Sequence, residues 1–157
     1  MKHTNLAALA AVACLLANAA HAQTLKPALD PSTADAVRDH CLAHAKRSNH
    51  AVAVAVFDQG GQLLSFANHG ASPAAGEVAL WKGRSAAMYR FATRETANWN
   101  MSAAPHISTA EGGVPLFTRE GASLGGVGVS GAPSAFDAEC GARGAAAAGL
   151  VVSPPGH

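Results

Sequence analysis

Histidine 40 and histidine 44 stand one helical turn apart in the run Ala34–Ala45. Side chains at that spacing reach the same patch of space. Neutral imidazole is a normal axial ligand for haem iron and a normal zinc ligand. Val37, Cys41 and Ala45 mark the core direction of this helix. His44 lies beside that apolar stripe and His40 further towards solvent, so His44 stands ahead of His40 as a ligand in a cleft. Two solvated histidines on a polar helix flank explain the same spacing. A zinc pair is the weaker reading, because no third ligand follows at a recognisable spacing. His106 precedes a Gly-Gly-Val-Pro run in an irregular stretch, and loops carry sites disproportionately. His69 follows the first hairpin and ranks lower, His50 marks the turn into the first strand, and His157 belongs to the tail.

Other patterns fail in context. Gly126-Val127-Gly128-Val129-Ser130-Gly131 has the spacing of a dinucleotide fingerprint, but too little chain follows for a βαβ unit with an acidic residue about 20 positions on. Ser130 is no nucleophile elbow, because Ala132 stands where glycine is required. Asp58 starts a turn and accepts backbone donors there. Lys82 and Arg84 meet haem propionates or form a solvated helix face. Trp81 and Met88 read as core. The glycines of 125–131 imply close approach of a helix or of a flat ligand.

The elements that must position these groups alternate. Asp30-Pro31-Ser32-Thr33 opens a helix running to about Ser48. Ala51–Phe57 and Gln62–Asn68 are strands joined at Gln59-Gly60-Gly61. Glu77 to about Thr93 is a second helix, with Val78, Trp81, Ser85 and Met88 along one side. Residues 96–111 are irregular. Two glycine-rich strands flank the tight turn Thr118–Gly121, and Pro133-Ser134 opens a last helix. Val151 onward is a tail, disordered over 153–157. Two hairpins and three helices imply an α+β fold in which helices cover an antiparallel sheet.

The chain has 157 residues, enough for one domain, residues 23–152. Lys2, the Ala/Leu run from Leu6 to Ala20 and Ala20-His21-Ala22 read as a signal peptide over residues 1–22, cut after Ala22. A lipid anchor at Cys14 is the poorer alternative. The cut leaves ten basic and ten acidic side chains and no basic stripe, which argues against nucleic-acid binding. The mature protein is then periplasmic or secreted, with no membrane span left after cleavage. Low charge with abundant Ala and Gly suggests self-association. Cys41 and Cys140 survive cleavage into an oxidising compartment, as a disulfide or as two buried thiols.

Taken in order, Val56-Phe57-Asp58 with Gly60-Gly61 and Leu63, Gly70-Ala71, Lys82, Gly112–Leu116, Gly125–Gly131 and Asp137 resemble the GlcG/HbpS-like haem-binding family, which includes PduO C-terminal-like domains. The match covers nearly the whole mature chain. The resemblance implies a profilin- or PAS-like fold, homo-oligomers and bound haem. It also implies a first-helix histidine on the iron, a threonine near the end of the second helix matched by Thr93, and for some members a membrane sensor as partner. Three departures stand out. Ala67-Asn68-His69 replaces a common Arg-Met-Asp, Gly83 follows Lys82 where alanine is common, and Glu77 is followed three places on by Leu80, so a Glu-x-x-Glu iron motif is absent. The reading is an exported haem-binding protein, a carrier or a sensor partner. The alternative is a non-catalytic small-ligand or assembly module of the same fold. A haem-degrading enzyme is third, since no convincing general acid/base pair appears and haem itself carries oxidative chemistry.

Overall fold

The computed structural model describes residues 25–101 and 103–156. The expected leader therefore lies outside the described residues. Helix α1 spans Pro31–Arg47; the Asp30 carboxylate accepts from Ser32 N and Thr33 N, and Pro31 needs no such partner. Strands β1 (Val52–Asp58) and β2 (Leu63–His69) form the first hairpin. Asp58 Oδ1 holds its turn by accepting from Gly60 N at 2.8 Å and Gln62 N at 2.9 Å.

Helix α2 spans Pro73–Tyr89, and the short α3 spans Thr93–Thr96. The second helix thus begins four residues earlier than the sequence reading placed it and stops short of Thr93. Ser72 Oγ caps Ala75 N, and Pro73 sits at the first helical position. Arg90, in the left-handed region at φ 62°, ends the helix. Strands β3 (Gly113–Phe117) and β4 (Ser123–Ser130) make the second hairpin, and α4 spans Ser134–Ala147.

The sheet is antiparallel throughout, in the order β2-β1-β4-β3. Pro115 is tolerated because β3 is an edge strand. The tail is also placed: Val151 exchanges two hydrogen bonds with Phe117, and Ser153 and Pro154 continue along that edge. Backbone pairing at the exposed flank of β3 draws the chain in where composition alone suggested disorder.

The two sheet faces divide by strand parity. Val52, Val54, Val56, Val127 and Val129 pack against α1 and α4 through Val37, Cys41, Ala45 and Cys140. Cys41 and Cys140 form a disulfide across these helices, with Cα atoms 4.9 Å apart. On the other face Ala53, Ala55 and Phe57 meet Ala79 and Ala87 of α2. Here the glycines act. A Cβ at Gly128 would overlap the Ala79 carbonyl and Gly83 N, and a Cβ at Gly83 would sit 2.8 Å from both Ala55 O and Gly128 N. Of the two occupants that these glycines admit, a helix or a flat ligand, the structure has the helix: the space is filled by the backbone of α2. No helix among the described residues is long and apolar enough to cross a membrane.

Candidate functional site

The residues singled out from sequence separate into three places. His40 is exposed on α1. His44, one turn on, faces α4. Its ring stacks on Phe136 with centroids 5.0 Å apart and planes 13° from parallel. His44 Nε2 lies 3.8 Å from Glu139 Oε1, too far for a hydrogen bond, and it is buried with no partner among the described residues. His50 packs against the same Phe136 ring at 4.3 Å. Phe136 and Glu139 were not foreseen, since only the pairing of α1 with α4 brings them to His44. Arg143 Nε donates to Glu139 at 2.6 Å, and chiefly this hydrogen bond holds the Glu139 carboxyl below its ordinary range. An orphaned buried imidazole nitrogen beside a carboxylate is a donor set suited to a metal-bound group. No group of three or more His, Cys, Asp or Glu among the described residues is placed to hold a bare metal ion.

Lys82 and Thr93 belong to the interior. Lys82 is 3% exposed; its Nζ donates to Val129 O at 3.0 Å and to Asp137 Oδ2 at 3.2 Å. This corrects both sequence readings of Lys82, since it meets neither propionates nor solvent. The small residues Ala79, Gly83 and Ala86 set the buried side of α2 and carry Lys82 in with them, while Trp81 and Met88 turn outward at 38% and 41% exposure. Burial raises the Asp137 carboxyl above its ordinary value, opposed by the Lys82 ammonium and by backbone donors at Ala132 and Gly131. Thr93 is fully buried, and its Oγ1 accepts from Gly113 N at 2.9 Å. Together these groups fix the start of β3 between the two helical layers.

His106 stands apart from both. It is exposed, in the left-handed region at φ 61°, and it lines an open groove of about 460 Å³ with Arg84 and Met88. His69 joins His50 and Lys46 around a shallow surface hollow. A separate cleft of about 430 Å³ between α3, β3 and α4 is lined by Glu95, Glu111 and Glu139 with Arg94.

Comparison with known proteins bears on the whole of this architecture. The model of the family described as "Haem degrading protein HbpS-like" matches residues 29–146. Protein GlcG of Escherichia coli strain K12 is 37% identical over 93 residues, 55% of this chain and 69% of GlcG. A crystal structure of HbpS superposes with a TM-score of 0.73 at 30% identity, covering 80% of this chain and 93% of that one. A double mutant of HbpS from Streptomyces reticuli gives 0.74 at 28% identity, covering 80% and 90%. The crystal structure of a PduOC:heme complex shares the fold, with a TM-score of 0.73 at 21% identity, covering 81% of this chain and 99% of that one. The match runs from the residue before the α1 cap into the last turn of α4, through both hairpins and both helical layers, and the chain belongs to the HbpS-like family.

Proposed function

We propose that this chain is an exported haem-binding protein, acting as a carrier or as the extracytoplasmic partner of a membrane sensor. The observation that carries the reading is membership of the HbpS-like family across the whole fold, residues 29–146. The fold is also that of a protein crystallised as a haem complex. Within the site, His44 is the iron ligand. Its Nε2 is already desolvated and lacks a partner, so coordination satisfies a group that otherwise costs stability. Phe136 holds the ring plane by stacking. Haem supplies a redox-active iron whose behaviour its axial ligand tunes. Low charge with abundant Ala and Gly supports a homo-oligomer. The Cys41–Cys140 disulfide supports export, since such bonds persist in oxidising compartments.

Hemin titration tests the reading. Wild type develops a shifted Soret band. His44→Ala loses it or weakens binding by about tenfold or more, a typical cost of losing one strong donor. His40→Ala and His106→Ala titrate as wild type. An unshifted wild-type spectrum removes the haem reading and leaves the binding-module alternative. Light scattering with and without hemin tests the oligomer, and an intact mass beginning at Gln23 tests export.

A further inference from the structure

The groove at the tip of the first hairpin lies on the α2 side of the sheet, opposite the face that carries His44. Its composition is unusual for an ordinary surface hollow. Arg84 of α2 lies over the Phe57 ring, with Cζ 5.2 Å from the centroid, and its Nε is buried with no hydrogen-bond partner among the described residues. None of the ion pairs among the described residues includes Arg84. Asp58, in the same turn, commits its Oδ1 to Gly60 N and Gln62 N. No carboxylate lines the groove, so Arg84 is an uncompensated, partly buried cation. Beside it lie Met88 and Leu63, 41% and 46% exposed. Glycine at position 61 lets the turn close on α2, where a Cβ would sit 3.1 Å from Met88 Sδ and 3.4 Å from Arg84 Cγ.

The far rim is built. Tyr89 Oη donates to Pro105 O at 2.7 Å, and Trp81 Nε1 donates to Ile107 O at 2.9 Å. These two bonds from α2 pin the residues on either side of His106 and hold it on the groove with φ at 61°. A non-glycine residue kept in that region by flanking bonds points to a function for its side chain. The two aromatic residues that turn outward from α2 thus serve the rim.

We propose that this groove is a second binding site, separate from haem, for a small monocarboxylate with an apolar body. One guanidinium presents a planar fork that matches a carboxylate and balances one negative charge. Met88 and Leu63 take the apolar body, and His106 closes the rim. A volume of about 460 Å³ suits a small organic molecule.

Benzoate is the probe, with benzyl alcohol and inorganic phosphate as controls. Titration to about 10 mM, the range for a ligand with one charge-assisted pair, shifts the Arg84 Nε–H resonance saturably. Benzyl alcohol leaves it in place, and phosphate, which lacks an apolar body, shifts it only at higher concentration. Read from the saturable broadening of the benzoate resonances, which needs no arginine, Arg84→Gln weakens benzoate by about tenfold or more, and Arg84→Lys, which keeps charge and loses the fork, weakens it less. Both variants titrate hemin as wild type, and His44→Ala binds benzoate as wild type. Equal binding of benzyl alcohol and benzoate overturns the proposal, and on wild type this needs no variant to fold. Benzoate affinity unchanged in Arg84→Gln overturns it as well. If Arg84→Gln weakens hemin and benzoate competes with hemin, the carboxylate is a haem propionate and the separate site falls.

Discussion

On the face covered by α1 and α4, the two central strands present Val52, Val54, Val56, Val127 and Val129, and the helices meet them with side chains. On the face covered by α2, the same strands present Ala53, Ala55, Gly126 and Gly128, and the helix meets them with its backbone. The first face spreads its stability over many methyl contacts. The second depends on methyl groups that are absent. A side chain can rotate away from an intruder, but a helix carbonyl fixed in its ladder cannot. The face that looks weaker in hydrophobic content is therefore the less tolerant of change.

The largest test of this contrast pairs Gly128→Ala with Val129→Ala, neighbours in β4 that point to opposite faces. Val129→Ala costs about 2 kcal/mol, as a buried truncation. Gly128→Ala drives a Cβ into the Ala79 carbonyl and costs about 4 kcal/mol or more, approaching loss of the fold. Urea unfolding of both variants measures the difference. Equal costs would mean that α2 does not seat on the sheet as described.

Next in size is the disulfide, which belongs to the methyl-packed face alone. It joins residues 99 apart in sequence, and Cys41→Ala with Cys140→Ala lowers stability by about 4 kcal/mol. Thiol counting on unreduced, denatured protein returns none for these two residues. The benzoate groove, on the opposite face, keeps its affinity in the disulfide-free variant so long as the chain is folded.

The Lys82–Asp137 pair joins the two layers, and there the contrast becomes electrostatic. Lys82→Met leaves Asp137 buried without its cation and costs about 3 kcal/mol. The double variant Lys82→Met, Asp137→Asn keeps an acceptor for Ala132 N, removes both charges and recovers most of that loss. The pH sign follows from burial, the main cause of the raised Asp137 value. As pH rises above the ordinary 3.8, the unfolded chain loses this proton first, so stability falls until the folded carboxyl also ionises. Lys82→Met raises the folded value further and widens that window. Asp137→Asn abolishes this contribution, and comparing the pH dependence of its unfolding with that of wild type as pH rises above 3.8 isolates it.

The same contrast explains what could be read from sequence. Helix α1 was legible because Asp30-Pro31 caps it and its buried stripe is apolar. The valine strands were legible as short continuous apolar runs, and both turns by turn chemistry. Helix α2 was misread in orientation. Hydrophobicity placed Trp81 and Met88 inward, but fit against a glycine strand selects Ala79, Gly83 and Ala86, and Lys82 follows them in. Nothing local marks a lysine as buried when its partner, Asp137, lies 55 residues away. Of the candidate ligands, the His40/His44 spacing was legible. That His44 would stack on Phe136, while His106 would share a groove with Arg84, depended on how the helices pack.

The smallest effect separates stability from function on the methyl-packed face. His44 Nε2 is desolvated and unpartnered, so the ligand-free protein carries the cost of an unmet hydrogen bond. Glu139 does not relieve it at 3.8 Å, and its oxygen already accepts from Arg143. His44→Leu removes that polar atom while keeping apolar contact with Phe136. The ligand-free variant is therefore more stable than wild type by about 1 kcal/mol, seen as a higher urea midpoint with an unchanged slope. The same variant loses the hemin-dependent Soret shift, and hemin no longer raises its melting temperature as it does for wild type. A His44→Leu protein that is destabilised would show that the imidazole is held by packing alone, and one that still binds hemin normally would move the iron ligand elsewhere. Gains in stability at a binding residue are expected where a site holds a polar group ready for a ligand it does not yet have.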